Sequence, residues 1–138
     1  MDAPLWVRQY VGIPFRYQGR DHDGLDCYGL IVVVHREVFD HHLPDYQGYG
    51  WAPTRFDLMP AFSQALEQGP WAPTETPGPG DSILLRVAGQ PIHCGVVVSD
   101  THMLHALNGV GVCVERFDGA HWARRVCGFF RYAGEDAH

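Results

Sequence analysis

The stretch QGRDHDGLDCYGLIVVVHREVF, from Gln18 to Phe39, changes character at a single residue. Up to Asp26 it is polar and glycine-containing. From there on, Cys27, Leu30, Ile31, Val34 and Val38 recur at helical spacing, with Asp26 placed to cap the first turn. The pattern predicts a loop that runs straight into a helix whose first residue is Cys27. A helix start supplies a positive field and backbone N–H groups that have no intrahelical acceptor. The field lowers the pKa of a thiol, and the N–H groups of Cys27 and Tyr28 are candidate donors to an oxyanion.

Upstream of this segment, Leu5, Trp6, Tyr10 and Val11 predict a short opening helix within residues 4–11, ended by Gly12 and Pro14. Downstream, residues 40–79 turn to Pro, Gly, Tyr and Trp. They contain one helix-like segment, DLMPAFSQALEQG, capped by Asp57 and stopped by Gly69, so the region reads as a loop-rich insertion. After Gly78-Pro79-Gly80-Asp81 come five runs of strand character: SILLRV, PIHCGVVVS, HMLHAL, GVCVERF and VCGFFRY. Turn residues such as Ser99-Asp100 and Asn108-Gly109 separate them. Helices followed by an antiparallel sheet of about five strands make an α+β domain, and 138 residues suit a single domain with its own core.

The charge balance narrows the function. A net charge of -6, with no Lys/Arg cluster, argues against a phosphate backbone as partner. The longest apolar run, Leu30 to Val34, is too short to span a bilayer, and residues 1–15 lack a basic-then-apolar secretion pattern. The four cysteines, Cys27, Cys94, Cys113 and Cys127, are expected to be reduced. The last three lie in apolar strand-like runs, where a buried, inert thiol is the plain reading.

Nine histidines are present, and two differ in context. His93 lies in an apolar strand run beside Gly95, where an imidazole must find a polar partner. His105 lies in the next run. Pairing of the two runs as a hairpin about Asp100-Thr101 would bring the rings together on one face of the sheet, with Cys94 on the other. Cys27, His93 and His105 are then the candidate residues for thiol chemistry. The bland alternative is a pair of satisfied histidines in a core sheet. A zinc site from the same three side chains is a further option, but no C-x-x-C or H-E-x-x-H spacing supports it, and no metal or cofactor is expected.

These residues carry a resemblance. GIPFRYQGRDHDGLDCYGL resembles the nucleophile segment of the NlpC-type cell-wall peptidases, PGDSILL their Pro-Gly-Asp strand opening, IHCGVVV their His-Val-Gly strand and MLHA the strand bearing the third catalytic residue. The likeness runs from about residue 5 to 132. It implies a papain-like domain with a Cys27-His93-His105 triad that cleaves stem peptides of bacterial peptidoglycan, between D-glutamate and diaminopimelate or lysine.

The GFFRY ending and the Trp-rich insertion look closest to the phage tail-tip and gene-transfer-agent branch. That implies baseplate proteins as partners, synthesis in the cytoplasm, a place at the tail of a virion or phage-like particle, and action in the periplasm or cell wall. Many members carry a Tyr where this chain has Phe15, and Tyr17 stands nearby. Phe15, Tyr17 and Asp26 are the expected substrate-side residues, and Tyr28 replaces the usual Ser. A catalytically weak structural tail component with the same fold is the competing expectation.

Overall fold

The computed structural model describes residues 2–44 and 69–134. The expected short helix near the start is a 3-10 helix, Leu5–Gln9. Its first residues follow Pro4, and Tyr10 closes it with a hydrogen bond to Val7 O. The polar stretch before Cys27 folds as a minimal hairpin, β1 (Arg20–Asp21) and β2 (Gly24–Leu25), which leads directly into α1 (Cys27–Val38). The expected helix at residues 57–69 falls almost wholly outside the described residues, as do Trp51 and Phe56 of the insertion.

All five expected strands form: β4 (Ser82–Val87), β5 (Gln90–Val97), β6 (His102–Leu107), β7 (Gly111–Arg116) and β8 (Val126–Tyr132). A sixth, β3 (Trp71–Thr74), was not expected. It contains Pro73 and lies at the sheet edge, where a missing N–H costs no ladder bond. The sheet is antiparallel in the order β3-β8-β4-β5-β6-β7, so the C-terminal strand returns to fill the gap between β3 and β4. This is an α+β domain, as expected, with one α-helix among the described residues.

Strand alternation divides the core. Cys94, Val96, Leu104, Ala106 and Val112 face α1 and pack with Leu30, Ile31, Val33 and Val34. Ile83, Leu85, Val97, Met103, Phe117 and Trp122 form a second cluster. The helix is more deeply set than an amphipathic pattern implies, since every residue from Cys27 to His35 is buried. The N-terminal segment and the β1–β2 hairpin cover the side turned away from the sheet, and Gly29 permits it. A side chain there would run into the carbonyl of Gly19 and the Arg20 guanidinium. No helix among the described residues is long and apolar enough to cross a membrane.

Asp26 fastens the helix start. Its carboxylate accepts from Gly29 N (2.7 Å), Gln18 N (2.8 Å) and Arg20 Nη1 (3.1 Å), and it is 1% exposed. Asp26→Ala is expected to lose the cap and to leave the Arg20 guanidinium, itself only 10% exposed, without its carboxylate. The combined cost is about 3–5 kcal/mol. Asp26→Asn, which keeps an acceptor for Gly29, should cost less. Chemical denaturation of the two variants measures both, and near-wild-type stability of Asp26→Ala would refute this role.

Candidate active site

A gap in the sheet shapes the site. β5 and β6 pair only at Val96↔Leu104 and Val97↔Met103. Gly95 marks the last close approach: a Cβ on it would lie 2.8 Å from Leu104 O and 3.1 Å from His105 Cβ. Toward its start β5 keeps only β4, through Leu84↔Cys94 and Leu85↔His93. The first turn of α1 approaches the edge of β5 thus uncovered, and Cys27 meets it there. The sulfur has the Cys94 thiol, the His93 ring and the Cys94 backbone N–H as hydrogen-bonding neighbours.

This corrects one expectation. Alternation does put His93 and Cys94 on opposite faces: Cys94 shares the helix-side core with Cys27, while His93 stacks on Trp122 with ring centroids 5.7 Å apart. The sulfur of Cys27 arrives along the strand edge instead of over one face, so it reaches both. The other two cysteines are also less hidden than expected. Cys113 is half-buried and Cys127 exposed, because β7 and β8 turn these positions away from the core. All four cysteines are free.

The two histidines meet as the hairpin predicts. His93 Nε2 and His105 Nδ1 lie 2.9 Å apart, and the turn between them is held by Ser99 Oγ, which accepts from Thr101 N and His102 N. The other ring nitrogen of His105 lies 2.7 Å from Glu115 Oε1, and Trp122 Nε1 donates to the same oxygen at 3.3 Å. Sequence reasoning missed Glu115 and Trp122. The signal for Glu115 was there: in GVCVERF, Val112 and Val114 pack toward the core under α1, so Cys113 and Glu115 must project on the His105 side of β7. Trp122 lies in an irregular segment, and no pattern marks it.

A carboxylate only accepts, so the chain of hydrogen bonds has one direction. Glu115 accepts from His105 Nε2–H and His105 Nδ1 accepts from His93 Nε2–H, which leaves Nδ1 of His93 to serve Cys27. Burial, together with the charge of His93, pushes His105 down to about 4, so it stays neutral near pH 7. The Cys94 thiol first, then the hydrogen bond and charge of His93, hold Cys27 well below the ordinary thiol value despite its burial. Cys94 moves the opposite way, raised by burial and by the neighbouring Cys27. Such a set can generate a thiolate, deliver it to a carbonyl carbon and return a proton to a leaving group.

The remaining expected residues surround the helix start. The N–H of Gly29 is taken by Asp26, and the first i→i−4 bond of α1 runs from Leu30 N to Asp26 O, so the N–H groups of Cys27 and Tyr28 precede the helical ladder. The Tyr28 side chain turns away, with its hydroxyl donating to Pro44 O at 2.8 Å. Phe15 bridges to Leu25 and is half-buried against the core, and Tyr17 is also half-buried. Asp26 is buried in the cap described above. Among the described residues one set of metal-type donors comes together, His105, Cys113 and Glu115, with their ligand atoms all within 4.8 Å of one another.

The chain is similar to known proteins. Residues 12–131 match the model of the NlpC/P60 family. The chain is 26% identical over 120 residues to the probable endopeptidase NlpC of Escherichia coli K12, covering 86% of this chain and 68% of the relative. It is 24% identical over 120 residues to the murein DD-endopeptidase MepS/murein LD-carboxypeptidase of the same strain, covering 84% of this chain and 54% of the relative. The chain thus spans about half the length of the second relative and two thirds of the first.

In fold it resembles the crystal structure of the NlpC/p60 domain of the peptidoglycan hydrolase SagA, with TM-score 0.58, 19% identity and 90% of each chain covered. It also resembles a lipoprotein-like NLP/P60 family protein from Staphylococcus aureus Mu50, with TM-score 0.64 and 18% identity over 94% of this chain and 39% of that one.

Thiol reactivity reads the electrostatics directly. Cys27 is expected to alkylate fast at neutral pH, at a rate that stays flat from its depressed pKa up to about pH 8.5, because the thiolate is already formed. Exposed Cys127, raised by partial burial, should react about tenfold faster per pH unit over that range. Cys94 should react slowest. Peptide mapping after timed labelling checks all three, and fast labelling of Cys94 with Cys27 protected would overturn the opposite shifts of the two thiols.

Proposed function

We propose that this chain, which belongs to the NlpC/P60 family of cysteine peptidases, hydrolyses amide bonds in the stem peptides of bacterial peptidoglycan. The observation that carries the reading is the continuous line from Cys27 through His93 and His105 to Glu115, with the nucleophile at the start of a buried helix. The Cys27 proton already rests on His93 Nδ1, and the Cys27 thiolate attacks the carbonyl carbon of the scissile amide. The N–H groups of Cys27 and Tyr28 receive the oxyanion. Collapse of the intermediate breaks the C–N bond, His93 gives its proton to the departing amine, and a thioester remains. Water, deprotonated by His93, then releases the acid and restores the thiol.

The names of the relatives support this substrate class, NlpC as a probable endopeptidase and MepS as a murein endopeptidase. The finer bond, between D-glutamate and diaminopimelate or lysine, rests on the motif resemblance. So do a place at a phage-like tail tip, contacts with baseplate proteins and action in the periplasm or cell wall. Phe15 and Tyr17, in the half-buried segment ahead of β1, are the proposed substrate-side residues. Asp26 acts through the helix start that it caps. Deleting Tyr46 to Trp51 is expected to spare cleavage of soluble muropeptides and to weaken incorporation into particles. The reverse outcome assigns that segment to the substrate groove.

Cys27→Ala is expected to abolish release of cleaved peptides from purified peptidoglycan, followed by mass spectrometry, while circular dichroism stays unchanged. His93→Ala should lower turnover by roughly 10²–10⁴-fold. His105→Ala should cost less, and His105→Asn should recover part of the loss, because an amide can accept from His93 Nε2–H. Glu115→Ala should fall between wild type and His105→Ala. Near-normal turnover in Cys27→Ala or His93→Ala would reject the triad, and a wild-type protein without activity on any stem peptide would favour the structural role.

A further inference from the structure

One donor set shares His105 and Glu115 with the triad and adds Cys113, which has no part in the chemistry above. His105 and Cys113 face each other across the β6–β7 ladder, and Glu115 follows two positions along on the same side of β7. One nitrogen, one sulfur and one carboxylate oxygen therefore converge from a single hairpin, with all three ligand atoms within 4.8 Å of one another. His105 is fully buried, while Cys113 is half-buried and Glu115 is 38% exposed in its side chain, so the convergence point opens outward. Three protein ligands of N, S and O type with one open side match the preferences of Zn2+, which shortens such distances to metal–ligand bonds of about 2.0–2.3 Å.

We propose that His105 Nε2, Cys113 Sγ and Glu115 Oε form an inhibitory Zn2+ site, with water as the fourth ligand. On binding, the ion displaces the proton of the Cys113 thiol to solvent and takes the Glu115 carboxylate and the His105 Nε2 lone pair. A neutral His105 must then carry its single proton on Nδ1, where it faces His93 Nε2. His93 Nε2 becomes an acceptor, so the doubly protonated ring would set N–H against N–H. His93 can no longer take up the Cys27 proton while keeping its own. The ion thus silences the base without touching the nucleophile, and Cys113 is the residue that makes the site one for a thiophilic metal. The inhibitory consequence rests on the peptidase reading; the metal site does not.

Cobalt(II) separates the two. Titration of the Cys27→Ala protein with Co2+ is expected to produce a thiolate-to-cobalt charge-transfer absorption. The Cys27→Ala/Cys113→Ser protein should lose it, with affinity falling at least about tenfold. No absorption in Cys27→Ala, or the same absorption in both proteins, overturns the site. In the second arm, Zn2+ inhibits peptidoglycan cleavage by wild type, and Cys113→Ser retains basal turnover with a midpoint of inhibition shifted upward by at least about tenfold. Equal Zn2+ sensitivity of the two means that the ion acts at Cys27 and rejects inhibition through His105. Absence of activity in the wild type with a positive cobalt result rejects the peptidase reading and leaves the metal site standing.

Discussion

The Asp26 carboxylate accepts from the Gly29 N–H, the Gln18 N–H and the Arg20 guanidinium, and these three bonds hold loop, hairpin and helix in one position. The location of Cys27 follows from that anchorage. A nucleophile at the first turn of a helix is useful only if the turn cannot fray, and a helix end normally frays because its first N–H groups lack partners. Here a buried carboxylate supplies the partner and is in turn neutralised by an arginine. Gly29 lets the Gly19 carbonyl come close enough for the whole arrangement to be dry.

The sheet contributes the complementary half by being incomplete. Were β5 and β6 paired along their full length, the edge beside His93 and Cys94 would be filled by backbone and closed to the helix. The ladder stops after Val96↔Leu104, and the unpaired edge becomes the place where sulfur, imidazole and a backbone N–H meet. The same opening sets the electrostatics. Cys27 is the group stabilised as an anion, because the Cys94 thiol, the Cys94 N–H and His93 all point toward it. Cys94, with burial, the neighbouring negative sulfur and the Asp26 charge against ionisation, is held as a thiol. Two cysteines in one buried region thus have opposite chemistry for reasons of direction, not of exposure.

Behind His93 the site is a relay of acceptors. Glu115 fixes the tautomer of His105, His105 fixes that of His93, and Trp122 both stacks on His93 and binds Glu115. Orientation of a catalytic imidazole by a neutral partner is weaker than by a carboxylate. Glu115 restores the carboxylate one step further out, where it accepts from His105 without lying against His93 itself.

Much of this was legible from residue order. The helix start at Cys27, its cap, the five strand runs and the hairpin that joins His93 to His105 depend on local rules: capping chemistry, apolar periodicity and turn residues that act over a few positions. Those rules cannot state how far a pairing extends. The sequence therefore determined which side chains would meet across the β5–β6 turn, but the early end of that ladder, decided by where α1 packs, brought Cys94 to Cys27 against the alternation argument. Pro73 hid an edge strand because a strand without its N–H is acceptable only at a position known from the whole sheet. Glu115 and Trp122 joined the site through cross-strand register and an irregular turn ahead of β8, both set by long-range packing. Only the tertiary structure could decide these points, since each depends on a neighbour far away in the chain.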